Sequence, residues 1–207
     1  YSQEAKMYAI LVLLALASTL LLVEALTSNR RFVWIAYVII TTLMFYTHVA
    51  SVLIFVAQAG YVAVTWDRWA SRRKPLLIAG ALLTLPYLPI AVWALRVVRG
   101  GATTWQPDVS LWDAVRILGV KFAVNRSELD VERNAGLLYA ALASLGLATL
   151  VMSRVRERWW LLLASLTLMP VIGLYVVSLR NSVFSDRYAI VALPAYLILG
   201  AAGLLWL

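Results

Sequence analysis

Polar residues in this chain are sparse and bunched, and the stretches between them are long. Met7 to Leu26 is a run of 20 residues, uncharged until Glu24, which is the length a helix needs to cross a hydrocarbon core of about 30 Å. The polar break Thr27 to Arg31 closes it. From Phe32 to Thr65 the chain is almost continuously apolar for 34 positions, too many for one crossing at about 1.5 Å per residue. The most polar cluster in that run is Tyr46-Thr47-His48, which predicts a tight turn between two short spans. Pro75 to Leu95 predicts a fourth span. Pro86 and Pro89 bend its second half, as membrane helices allow where neighbours or water satisfy the freed carbonyls. Ala135 to Met152, Trp159 to Leu179 and Tyr188 to Leu207 bring the expected number to about seven.

Composition turns this pattern into a fold class. The chain is 63% hydrophobic and 14% charged, with a mean hydropathy of +0.86, whereas soluble domains run at roughly 45–50% apolar and 25% charged. The expected fold is therefore all-α, a polytopic helical membrane protein. Cysteine is absent, which removes disulfides and thiolate metal sites. A net charge of +8 resembles a nucleic-acid footprint, but in such a chain it reports loop cations that set orientation, and no nucleic-acid partner is expected. Residue 1 is Tyr with no basic region before an apolar one, and Leu204 to Leu207 are still apolar. Both ends read as cuts from a longer chain.

The loops at 27–32, 66–75 and 153–158 carry nine Lys or Arg, against three (Lys6, Arg180 and Arg187) in the short connections on the other side. The first set is expected in the cytoplasm. Trp34, Trp66, Trp69, Trp159 and Trp160 flank those loops and read as an aromatic belt. The segment 96–134 then forms one long extracytoplasmic loop. Within it, Ser110 to Val124 places Leu111, Trp112, Val115, Leu118 and Phe122 on one helical face and Asp113, Arg116 and Lys121 opposite. This is the pattern of an amphipathic helix lying in the membrane interface. Ser110 and Asp113 have capping-box spacing, with Asp in place of the usual Glu or Gln. Asn125-Arg126-Ser127 matches a glycosylation sequon, a three-residue pattern that arises mostly by chance.

Ionisable groups at membrane depth are costly and default to functional candidates. Glu4 and Lys6 at the outer mouth of the first span, His48 at the outer turn, and Asp186-Arg187-Tyr188 at the outer mouth of the seventh share one expected face. Each also has a plain structural reading. A Glu at a helix start favours the dipole, a lone His at a turn serves as a hydrogen-bonding group, and an Arg before a Tyr is an interface anchor. Tyr87, Tyr139 and Pro194 read as packing features.

Four segments carry a resemblance. Tyr1-Ser-Gln-Glu-Ala-Lys-Met-Tyr8 opens a leucine-rich span. Met44-Phe-Tyr-Thr-His48 lies between two short spans, Leu85-Pro-Tyr-Leu-Pro89 lies in the fourth, and Phe184-Ser-Asp-Arg-Tyr-Ala-Ile-Val-Ala-Leu-Pro-Ala195 opens the last. In order and spacing these resemble the bacterial and archaeal branch of the dolichyl-phosphate-mannose-protein mannosyltransferase family, family 39 of the GT-C glycosyltransferases, over nearly the whole chain. The resemblance implies a partial GT-C transmembrane domain over residues 1–207, working in the cell envelope. Its reaction would be inverting transfer of a sugar from a polyprenyl-phosphate-linked donor to a lipid, glycan or protein acceptor, on the extracytoplasmic face of a multi-pass cell-membrane protein.

That chemistry asks for a carboxylate to deprotonate the acceptor, cations or a metal to hold the leaving phosphate, and an apolar groove for the lipid. The family's usual catalytic acidic pair lies upstream of the segment resembling Tyr1 to Tyr8, outside this chain. Glu4 matches the second acidic position, as a candidate for acceptor orientation, base assistance or a divalent metal. His48 is the second catalytic candidate. Lys6 and Arg187, with Tyr188, are the candidates for donor phosphate. Two other classes stay open: a lipid-linked oligosaccharide transporter or flippase, which needs charges along a path through the membrane, and a non-catalytic membrane scaffold, which makes no demand for outer-face cations.

Overall fold

The structure, a computed structural model, describes residues 2–99, 110, 112, 116, 119–120, 122, 130–153, 158–179 and 186–207. Among these residues it is all-helical, with no strand. Five helices are long and apolar enough to cross a membrane: Met7–Ser28, Trp66–Val92, Arg133–Met152, Trp159–Ser178 and Arg187–Trp206. Two shorter apolar helices, Arg31–Thr47 and Val49–Val64, account for the long run in between. The chain forms two compact units, Tyr1–Thr103 and Thr104–Leu207.

In the first unit, helix α1 (Ser2–Ser28) buries Leu11, Ala15, Ser18, Leu22, Ala25 and Leu26. Their spacing of three or four places them on one face. Helix α2 (Arg31–Thr47) answers with Val33, Trp34, Tyr37, Thr41, Met44 and Phe45. Asn29 makes the corner between them. It adopts the left-handed conformation (φ 55°), which Asn tolerates better than most residues. Its N–H donates to the Ala25 carbonyl at 3.1 Å, the single bond that closes a helix of this ending, and its Oδ1 accepts the Trp34 indole N–H at 3.3 Å.

The break expected around residues 46–48 falls there. Helix α2 ends at Thr47, His48 is extended (φ −160°, ψ 137°), and a 3-10 turn at Val49–Ser51 leads into α3 (Val52–Val64). A second 3-10 stretch, Trp66–Arg72, connects to α4 (Arg73–Arg99), which contains Pro86 and Pro89. The Trp69 indole donates to Thr65 Oγ1 at 3.0 Å, and that hydroxyl donates to the Tyr61 carbonyl at 2.7 Å. Arg72 Nε donates to the Leu26 carbonyl at 3.2 Å. This contact brings the two basic connections of the unit, 29–31 and 66–74, to the same end. Trp34 and Trp69 differ from the aromatic-belt expectation: they are 7% and 8% exposed, packed into the unit, where each indole N–H also has a side-chain acceptor.

In the second unit, α5 (Asp130–Met152), α6 (Trp159–Ser178) and α7 (Leu193–Trp206) pack together. Helices α5 and α7 cross at backbone contact. A Cβ on Gly146 would strike the Leu199 carbonyl and lie 2.7 Å from Gly203 N, and a Cβ on Gly203 would strike the Leu142 carbonyl. Small residues permit this approach, the usual basis of helix association in lipid, where apolar burial gives little drive. Nearer both N-termini, Tyr139 donates its hydroxyl to the Leu197 carbonyl at 3.0 Å and its ring lies 5.2 Å from that of Tyr196. Helices α5 and α7 therefore run in the same direction, with α6 returning the chain. Pro194 occupies the first turn of α7, where its missing N–H costs nothing.

Of the expected interfacial helix, Trp112, Arg116, Gly119, Val120 and Phe122 are helical. Leu111, Asp113, Val115, Leu118, Lys121 and the 125–127 sequon lie outside the described residues. Trp112 is 72% exposed while Val120 is buried, packed on Gly136 of α5. The Gly119 carbonyl accepts the Tyr196 hydroxyl at 3.3 Å. The later part of the segment is thus docked on α5 and α7 rather than resting on lipid alone.

Candidate functional site

Glu4 and Lys6 stand in the first turns of α1; their side chains lie outside the described part of the structure. Tyr8 lies one helical turn after Glu4 on α1. Its ring lies 5.7 Å from that of His48, tilted by 46°. The start of α1 and the α2–α3 break therefore share one end of the first unit, opposite the basic connections. At this end the Tyr46 hydroxyl donates to the Pro86 carbonyl at 3.0 Å, and the rings of Phe45 and Tyr87 are 4.8 Å apart. The Met44–His48 segment thus touches two of the other segments singled out in the sequence, at Tyr8 and at Pro86-Tyr87.

The backbone explains how His48 is held. Being extended, it ends α2, and its Nδ1 accepts the Ala50 N–H at 3.0 Å, capping the 3-10 turn. With Nδ1 accepting, the neutral ring carries its proton on Nε2. Partial burial pushes the imidazole pKa below its ordinary value, because desolvation disfavours the charged ring. At neutral pH His48 is therefore an uncharged group whose Nε2–H is a donor, not a resting cation.

Arg187 and Tyr188 belong to the second unit. They lie in the helical turn Asp186–Ala189, which a 3-10 turn, Ile190–Ala192, joins to α7. Arg187 is exposed and Tyr188 half-buried, while Ala189 and Ala192 beneath them are fully buried and seat the turn. Because α5 and α7 run in parallel, Arg187 stands at the end of this unit where α5 begins. Arg180, Phe184 and Ser185 lie outside the described residues.

Inside the first unit lies a polar network that the pattern of apolar runs does not show. The Ser18 and Thr41 hydroxyls are 2.8 Å apart. Gln58 Nε2 donates to Ser18 Oγ at 3.2 Å and to Thr19 Oγ1 at 3.1 Å, and Gln58 Oε1 accepts the Tyr37 hydroxyl at 2.9 Å. These groups are uncharged and satisfy one another, tying α1, α2 and α3 together at mid-depth. The available signal was Gln58 itself, the lone amide in the apolar run from Phe32 to Thr65. Tyr87 packs on Phe45, and Tyr139 on Tyr196. No group of three or more His, Asp or Glu able to hold a metal ion occurs among the described residues.

Comparison with known protein families, with curated proteins and with solved structures finds no significant match.

Proposed function

We propose that this chain is the membrane core of an inverting, polyprenyl-phosphate-dependent GT-C glycosyltransferase of the family 39 type, acting on the extracytoplasmic face of a cell membrane. The observation that carries the reading is the meeting of the Tyr8, Tyr46-Thr47-His48 and Pro86-Tyr87 segments at one end of the first unit. In this reading the two shorter apolar helices also cross, which makes seven spans. At 17 residues, α2 reaches about 25 Å, close to the minimum for a bilayer.

In the proposed reaction an acceptor oxygen forms a bond to the anomeric carbon while the bond from that carbon to the donor phosphate breaks. The acceptor proton passes to a carboxylate, and polyprenyl phosphate leaves from the opposite face with inversion. Glu4 orients the acceptor or assists the base. By the resemblance, Lys6 of the first unit and Arg187 of the second are each a candidate cation for the phosphate as its charge grows, with the Tyr188 hydroxyl beside Arg187 in sequence as a neutral donor. His48, neutral, contributes an Nε2–H hydrogen bond. A divalent metal, if used, would bind at Glu4, and no step above depends on it.

The test is chemical. Full-length protein in sealed vesicles, given a polyprenyl-phosphate sugar with separate labels on sugar and lipid, should release free polyprenyl phosphate as glycosylated acceptor appears. A flippase would move the doubly labelled donor intact, and a scaffold would do neither.

A further inference from the structure

At the basic end of the first unit a groove of about 600 Å³ opens between α2 and α4, within the roughly 300–1,000 Å³ typical of small-molecule sites. Of the α4 residues that line it, Ala79 is buried and, being small, leaves space beside α2. The walls are aliphatic. Ile35 and Ile39 from α2 and Ile78 and Leu82 from α4 line it, each about half exposed, along segments apolar enough to lie in hydrocarbon. The mouth is different. Arg31 and Lys74 flank it together with Asn29. Both cations are exposed, and the nearby Asp67 pairs with Arg73 instead, at 3.5 Å, so neither Arg31 nor Lys74 has a carboxylate partner among the described residues.

An aliphatic trough ending in two cations that no described carboxylate pairs is complementary to one kind of molecule, a hydrocarbon chain that ends in an anion. Basic residues flanking a span draw anionic lipid to that leaflet, and the trough adds a place for the chain. We propose that this groove binds an anionic diacyl phospholipid of the membrane, its phosphate between Arg31 and Lys74 and one acyl chain lying along α2 and α4. The proposal is independent of the glycosyltransferase reading, because these residues lie at the opposite end of the unit from Tyr8 and His48.

Native mass spectrometry of the full-length protein, titrated with phosphatidylglycerol or phosphatidylcholine, tests it. Phosphatidylglycerol should bind at least tenfold more tightly than phosphatidylcholine. Arg31→Ala with Lys74→Ala should weaken it about tenfold or more, the scale of one lost charge-assisted contact. Arg30→Ala with Arg68→Ala, cations of the same end that do not line the groove, should leave it within about twofold, since exposed charges off the contact contribute little. Equal loss in both pairs, or equal affinity for the two lipids, would overturn the proposal in favour of a diffuse basic surface. As a second arm, a benzophenone side chain at position 78 should give a phospholipid adduct on irradiation. An adduct to polypeptide instead, from this chain or a second copy, would mean that protein covers the groove.

Discussion

The Tyr8 ring stands 5.7 Å from the imidazole of His48, so the start of the first helix is packed against the one extended residue between α2 and α3. That imidazole accepts the Ala50 N–H through Nδ1, an acceptor that protonation would remove.

A pH dependence follows. Burial holds the folded-state pKa of His48 below its ordinary value, so as pH falls the unfolded chain takes up the proton first. The stability contributed by neutral His48 is fully present above about pH 6.5, the unfolded value. It is lost as pH drops from there through the lower folded pKa. The thermal midpoint of the solubilised full-length protein should therefore fall more between about pH 7.5 and pH 5 than that of His48→Asn, whose amide oxygen can cap the turn without titrating. Equal falls would show that His48 is not the titrating group.

The network around Gln58 should be worth a measurable amount. Gln58→Leu strips the acceptor from the Tyr37 hydroxyl and the donor from Ser18 and Thr19. Hydrogen bonds between membrane helices contribute roughly 0.6 to 1.7 kcal/mol, so a loss of about 1–2 kcal/mol is expected in equilibrium unfolding in mixed micelles. Thr84→Ala, which removes only a bond to the Ala81 carbonyl on its own helix, should be near neutral.

Helix packing in the second unit rests on two glycines. Gly146→Ala and Gly203→Ala each place a Cβ into a facing carbonyl, and the backbones must separate, at a cost of about 1–3 kcal/mol. Gly60→Ala and Gly80→Ala meet nothing within 4 Å and should unfold like the parent under the same conditions.

How much of this was legible in the sequence depended on whether the signal was local. The α2–α3 break was readable because Tyr46-Thr47-His48 is the one polar cluster in a long apolar run, and polarity there has few other uses. That Trp34 and Trp69 are core residues was not. A Trp beside a basic loop suits lipid and protein equally, and although the acceptors Asn29 Oδ1 and Thr65 Oγ1 lie only five and four residues away, whether each indole turns inward is set by how the helices of the unit pack. Glycine in the last span was visible, but that Gly203 meets Gly146 is a pairing between distant parts of the chain. At the candidate site, His48 could be named as a polar group at a turn. Its neutral state could not, since Nδ1 is taken by an amide two residues on and the ring is half-buried by tertiary packing.

Orientation can be tested by single-cysteine labelling, to which residues 1–207 add no cysteine of their own. Single cysteines at positions 72, 101, 154 and 181 of the full-length protein should react with an impermeant maleimide added outside only at 101 and 181. Labelling at 72 from outside would invert the proposed topology and place the Tyr8–His48 end in the cytoplasm.

The central claim is that outer-face charges hold and use a lipid-linked sugar phosphate, and the most direct measurement is the rate of sugar transfer by purified full-length variants from a polyprenyl-phosphate donor. Arg187→Ala should lower the rate roughly 10- to 150-fold, the scale of one charge-assisted hydrogen bond of about 1.5–3 kcal/mol. Arg187→Lys should recover only part of it, keeping charge but losing the planar fork. Glu4→Gln should reduce turnover more than donor binding, and Arg154→Ala, in a loop that the proposed topology puts in the cytoplasm, should leave both unchanged. Arg187→Ala and Glu4→Gln as active as Arg154→Ala would contradict the account.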